Sequence, residues 1–213
     1  MAKKPKGKFK SQYGQDRWVL QALKNKRGGY FIECGAYNGV SLSNTHVLEY
    51  HYGWTGICIE PDNRVFKLLQ ESRGCITDNS CVGSSRGTCK FVEVGTLGGI
   101  DNDYSAKHRA RVADANPDYK KRTVEKQMVV LSDVLDRHSA PKICDYLSLD
   151  VEGAELRILK AFPFDRYAFR VMTVEHNGFP KAMTQLRQLL ESKGYRIVKT
   201  TSADYYVVNT KKL

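Results

Sequence analysis

Two carboxylates and a pair of glycines stand where a chain could hold a small charged ligand. The run Phe31-Ile32-Glu33-Cys34-Gly35-Ala36-Tyr37-Asn38-Gly39-Val40-Ser41 is an apolar segment that carries an acid near its end and then breaks at glycines. Gly35 and Gly39 let the backbone, with Ala36 and Tyr37 between them, come close to a ligand. A helix starting after such a turn offers N–H groups to an anion, and the Ser41 hydroxyl adds a donor. The spacing is G-x-x-x-G, so the dinucleotide fingerprint G-x-G-x-x-G is missing. Glu60 closes the next apolar run, Thr55–Glu60, at a point where a carboxylate can accept both hydroxyls of a ribose. A third run ends in Asp78-Asn79-Ser80-Cys81, which offers Asn79 and Ser80 to an adenine edge and Cys81 as a small residue beneath the ring.

A second group of polar residues lies further on. Asp150-Val151-Glu152-Gly153 follows one apolar run and Glu175-His176-Asn177 another. On adjacent strand ends, Asp150 or His176 could remove a proton from an attacking hydroxyl. Asp150, Glu175 and His176 could instead hold a divalent cation, Mg²⁺ or Mn²⁺, that binds a vicinal diol; the histidine suits Mn²⁺ better. Glu152 and Glu155 fall at i and i+3 of a helix start, where the dipole favours carboxylates, and Glu155 reads as a capping charge. The Asn/Asp-Pro-Pro-aromatic motif of enzymes that methylate nucleobase nitrogens is absent.

Positioning these groups takes strands that all end on one edge. Short apolar runs alternate with helical patterns, which predicts an α/β fold on a mainly parallel sheet. Helices are expected over 15–24, 43–50, 61–72, 130–137, 153–161 and 181–193, and strands over 30–33, 55–60, 74–77, 90–94, 145–149 and 170–175. The closing YRIVKTTSADYYVVNT reads as two strands around a Ser-Ala turn. Residues 95–122 are polar, basic and marked by glycine, which predicts an irregular lid or binding loop; its Tyr104, His108 and Tyr119 could stack on a sugar or clamp an acid.

FIECGAYNGVSLSNT, IEPD and YLSLDVEGAELRIL, in that order, resemble the FkbM family of S-adenosylmethionine-dependent methyltransferases over roughly residues 11–208. The first turn also resembles that of catechol O-methyltransferase at Glu33, Gly35, Tyr37 and Ser41. The resemblance implies a Rossmann-like class I methyltransferase fold with a seven-stranded sheet and a C-terminal antiparallel hairpin. It also implies S-adenosylmethionine as cofactor and transfer to oxygen. Some relatives methylate natural-product or glycan sugars, and related domains occur in large viruses, so a sugar or glycan acceptor is expected. In this setting Ser41 meets the methionine carboxylate and Glu33 its ammonium. SQYGQD resembles a family lead-in that folds over the cofactor, bringing Gln12 and Gln15 to it, and Glu152 matches the family's D-x-E-G element and is assigned to the substrate with Tyr104 and His108. RNA ribose, a small phenol, or a non-catalytic basic nucleic-acid module are the competing readings.

Size and composition fit this. A chain of 213 residues with 41% apolar content suits one domain, expected over 11–213 after a basic flexible tail at 1–10. No apolar run reaches the ~18 residues of a membrane helix, and the first ten residues lack the core of a signal peptide. Six cysteines without paired metal spacing read as free thiols of a reducing, cytoplasmic compartment. The net charge of +11 favours anionic partners without identifying one. No motif of nucleic-acid binding accompanies it.

Overall fold

The computed structural model describes residues 9–212. Most of the tail expected at 1–10 lies outside them; Phe9 packs on the apolar residues beneath the first helix, under the Arg17 guanidinium. The chain begins α1 (Gln15–Ala22), β1 (Tyr30–Cys34), α2 (His46–Tyr52), β2 (Thr55–Ile59), α3 (Asn63–Ser72) and β3 (Ile76–Asp78). It continues through β4 (Cys81–Gly83), β5 (Gly87–Val92), β6 (Gly99–Ile100), α4 (Ala106–Ala115) and β7 (Thr123–Val130). It closes with α5 (Leu131–Arg137), β8 (Ile143–Leu149), α6 (Glu155–Ala161), β9 (Ala168–Glu175), α7 (Pro180–Ser192), β10 (Tyr195–Thr200) and β11 (Asp204–Asn209).

Seven strands form the main sheet in the order β10-β11-β9-β8-β1-β2-β3. The five from β9 to β3 run parallel, while β11 is antiparallel to both β9 and β10. Parallel strands are apolar on both faces because helices cover both, and the period of two sorts their side chains. Ile32, Cys34, Ile57, Ile59, Leu147 and Leu149 join the core under α5, α6 and α7. Phe31, Cys58 and Tyr146 point the other way, onto the apolar residues of α1, α2 and α3. Helix faces follow the same logic: Leu186 and Leu190 of α7 are buried one turn apart, and proline stands at its N-terminus, where the missing N–H costs nothing.

The region expected to be irregular is ordered and larger than its sequence suggests. β4, β7, β5 and β6 make a second sheet in that order, with β7 pairing β5 over Thr123–Val92 to Met128–Gly87. α4 is capped by the Ser105 side chain, which accepts from the His108 N–H. Tyr104, Val112 and Tyr119 bury themselves with Val92 in a small core of their own.

Candidate active site

The carboxyl ends of β1, β2, β8 and β9 open into one cavity. Gln12, Gln15, Glu33, Gly35, Ala36, Tyr37, Ser41, Glu60, Ser80, Cys81, Asp150, Glu152 and Glu175 all line it. A second cavity lies against it, lined by Tyr104, His108, His176, Glu155 and Phe179, and the two share Glu152, Glu175 and Asn177. The residues expected at the cofactor therefore collect in the first space. Those expected at the substrate, with His176, collect in the second. Gly39 and Asn79 line neither.

Glu60 sits just past the end of β2, buried, and its two oxygens accept from the Tyr37 and Asp62 N–H groups at 2.8 Å each. Burial pushes its carboxyl up to about 7. Glu33 has a different fate from the one expected. It is the fourth residue of β1 and its side chain turns to the α2 side, where Ser43, the Asn44 N–H, Thr45 and the buried Arg73 guanidinium (3.3 Å) all bond to it. Those contacts engage both oxygens, so Glu33 holds α2 and Arg73 to the sheet while it also lines the cavity. Beside it, the Asn44 Oδ1 is buried without a partner.

The glycine turn also corrects the expectation. The Gly35 and Ala36 N–H groups donate to Ile59 O, and the Val40 and Ser41 N–H groups to the Asn38 Oδ1. α2 begins only at His46, so these amides are spent inside the turn and the Ser41 hydroxyl is left as the donor. Gly35 has φ +83°, and a Cβ there would lie 1.9 Å from Asp150 O, which is why β1 and β8 can end side by side. Gly39 (φ +77°) serves packing: a Cβ there would strike Leu69, Ser72 and Arg73 of the α3 end. The Asn79 amide donates to Glu60 O and Pro61 O, fixing the β2 end rather than meeting an adenine. Gln15 is likewise committed, with its Nε2 on Asp204 and its Oε1 on the Tyr13 N–H; Gln12 remains exposed on the cavity.

Four carboxyl groups crowd the ends of β8 and β9. Asp150 and Glu175 bring carboxylate oxygens within 4.8 Å of each other, and burial raises both. Burial, with Asp150 and Glu155 nearby, pushes Glu152 up to about 8. Glu155 reaches about 7, chiefly through burial, although the Val151 and Gly153 N–H groups donate to it as expected of a cap. Ligand atoms of Asp150, Glu155 and Glu175 all lie within 4.8 Å of one another. This all-oxygen set fits a hard cation such as Mg²⁺ or Mn²⁺. Of the three residues expected to bind a metal, His176 does not join the group, and Glu155 stands in its place. The Nδ1 of His176 accepts from the Gly178 N–H at 3.0 Å, its ring packs edge-on to Tyr205, and burial lowers its pKa.

Tyr104 and His108 are tied down by the insertion. Both reach Leu97 O, the tyrosine at 2.7 Å and the His108 Nε2 at 3.2 Å. The His108 Nδ1 lies 3.2 Å from Glu152 Oε2, within ion-pair reach but without hydrogen-bond geometry. Tyr119 belongs to the insertion core and lines neither cavity. Tyr37, Glu152 and Asn177 each carry a left-handed backbone (φ 49°, 60° and 52°) at three neighbouring strand ends. Non-glycine residues hold such conformations where surrounding structure imposes them, often at binding sites.

The sheet order and this edge of carboxylates define a class I methyltransferase. Residues 33–197, about three quarters of the chain, match the methyltransferase FkbM domain family. The chain belongs to the FkbM family of S-adenosylmethionine-dependent methyltransferases. No curated protein matches it. Among solved structures it is similar to a Pyrococcus horikoshii protein assigned as an RNA methyltransferase (12% identity, 98% of this chain on 90% of that one, TM-score 0.45). It is also similar to the precorrin-6y C5,15-methyltransferase of Geobacter metallireducens (13%, 96% on 91%, 0.45) and to the N-terminal domain of human METTL16 in complex with SAH (13%, 90% on 66%, 0.46).

Proposed function

We propose that this enzyme moves the methyl group of S-adenosylmethionine to a hydroxyl of a sugar, in a glycan or glycoconjugate. The observation that carries the reading is the carboxyl cluster at the β8 and β9 ends, set between the cofactor cavity and the second cavity. In this reading Glu60 accepts the ribose hydroxyls, Ser41 and Gln12 meet the methionine carboxylate, and Ser80 and Cys81 flank the adenine. The acceptor occupies the second cavity, whose wall includes Tyr104, His108, His176 and Glu152. The hydroxyl oxygen attacks the methyl carbon in line with the leaving sulfur, the C–S electron pair returns to sulfur as a neutral thioether, and the hydroxyl proton passes to Asp150. Glu175, beside Asp150, stabilises whichever of the two holds the proton. His176, fixed by the Gly178 N–H on its Nδ1, shapes the acceptor wall. When bound at Asp150, Glu155 and Glu175, Mg²⁺ or Mn²⁺ would supply positive charge that acidifies a hydroxyl.

The test is transfer of a labelled methyl group to a panel of saccharides and RNA, with the linkage in the product identified. The expected product is an O-methyl sugar, and Asp150→Asn is expected to lower turnover at least ~100-fold with SAH affinity and circular dichroism preserved. Methylated nitrogen, methylation of RNA alone, or full activity of Asp150→Asn would each remove this reading. EDTA treatment followed by Mn²⁺ reports on the cation in the same assay.

A further inference from the structure

The cofactor cavity is walled by carboxyl groups, and Arg111 is the one cationic side chain on it among the described residues. Arg111 is exposed, on α4, and takes part in none of the ion pairs within 4 Å among the described residues. Its neighbours differ in this respect. Arg109 pairs with Asp101, Arg157 with Asp103, and Lys126 with Glu93 at 3.1 Å. One turn before Arg111, on the same face of the helix, Lys107 is also exposed and also outside those pairs. His108 and Val112, each one position further along α4, are buried and fix the helix, which leaves Lys107 and Arg111 on the adjacent exposed face, with Arg111 at the cavity.

Two further observations bear on what this guanidinium would meet. α4 lies in the insertion between β6 and β7, which the seven-stranded sheet does not require; such appended segments are where a shared fold carries its particular specificity. The floor of the cavity, with Asp150, Glu152 and Glu175, offers no cation to an anion at the reacting atom. A cation on the rim of an acidic floor suits a ligand that is neutral where it reacts and anionic a few atoms away. A guanidinium binds carboxylate, sulfate or phosphate oxygens in pairs, which also orients the group that carries them.

We propose that Arg111, on the first cavity, which shares Glu152 with the second, forms with Lys107 behind it an anion subsite reached by an acceptor extending from the second cavity, and that the acceptor is an acidic sugar bearing a carboxylate, sulfate or phosphate. This rests on the sugar reading above, but its test is one of binding, so the two can fail separately. The SAH-loaded protein is titrated with methyl glucuronide, glucose 6-sulfate, glucose 6-phosphate and neutral methyl glucoside, followed by ligand-observed NMR. The three anionic sugars are expected to bind ~10-fold more tightly than the neutral one. Arg111→Ala is expected to erase that difference, Arg111→Lys to keep part of it, and both to leave SAH affinity within twofold. Equal binding of neutral and anionic sugars, or a preference that survives Arg111→Ala, overturns the proposal. So does a ~10-fold loss of SAH affinity in Arg111→Ala, which would place the guanidinium on the cofactor's own carboxylate. Tighter, Arg111-dependent binding of an RNA oligonucleotide than of every acidic sugar overturns it in favour of nucleic acid. An anionic preference without methyl transfer to any sugar upholds the subsite and removes the sugar-methylation reading alone.

Discussion

Glu33 and Glu60 close neighbouring strands, yet a difference of two positions relative to the strand end separates their roles. Glu33 lies within β1, where the pleat turns its side chain to the α2 and α3 side and a buried guanidinium. Glu60 lies one residue beyond β2, its own N–H on Asp78 O of β3, with only backbone N–H groups on its side-chain oxygens. Removing the Glu60 carboxylate should therefore cost ligand affinity more than fold. Glu60→Ala is expected to weaken SAH binding by about 10- to 100-fold in calorimetry, the loss of charge-assisted hydrogen bonds to two hydroxyls. Affinity unchanged by the substitution would take the ribose away from Glu60. Both acids were legible as candidates from their places after apolar runs. Both line the cavity, but how far each is already engaged was not legible, because Arg73, forty positions from Glu33, decides it.

At the scale of elements, the site depends on β1 and β8 ending in register. Glu33 pairs with Ser148 and Cys34 with Leu149, and the next step brings Gly35 against the Asp150 carbonyl. Gly35→Ala would need both a left-handed backbone and room for a methyl group 1.9 Å from that oxygen. The strand ends would have to separate, at an expected cost of about 3 kcal/mol or more and a fall of ~10 °C in melting temperature. A variant that melts with the wild type would show that the two ends are not so close. The strands and helices of the main sheet were legible because apolar runs and 3.6-residue patterns are local. The insertion was not. β7 reads Thr-Val-Glu-Lys-Gln-Met-Val-Val, half-buried except at the exposed Glu125 and Gln127, and it becomes a strand by pairing with β5, thirty or more residues earlier. α4 exposes most of its surface and buries chiefly His108 and Val112 on a small core.

Across the whole molecule, buried acids set how stability responds to pH. Asp204, at the start of β11, is pushed from its ordinary 3.8 up to about 7 by burial and by Asp150 nearby, despite the bond from Gln15. Because its folded value lies above its unfolded one, its contribution is full below about pH 4 and is lost as pH rises through about 7. Glu60 acts in the same direction. The melting temperature is thus expected to fall between pH 5.5 and 8. Asp204→Asn, which keeps an acceptor for Gln15, should raise stability at pH 8 by on the order of 1 kcal/mol and flatten that fall. A variant less stable than wild type at pH 8 would mean that the ionised carboxylate is favoured in the fold. Among the described residues no helix is long and apolar enough to cross a membrane, and all six cysteines are free thiols.

By itself the sequence determined the layered α/β architecture, the family, and the strand ends at which chemistry would gather. These follow from apolar period, glycine at turns and acids after apolar runs, all properties of residues close together in the chain. Only the tertiary structure decided which polar groups remain open to a ligand. Asn38 absorbs the amides of the glycine turn, Arg73 engages Glu33, Leu97 fixes Tyr104 and His108, and Glu155 rather than His176 completes the oxygen cluster. A buried donor or acceptor takes whichever partner folding brings to it: Arg73 lies forty positions from Glu33, whereas Asn38 and Leu97 are near in the chain to the groups they engage. Composition and spacing can mark a residue as able to do chemistry, whereas packing decides whether its lone pairs are still available.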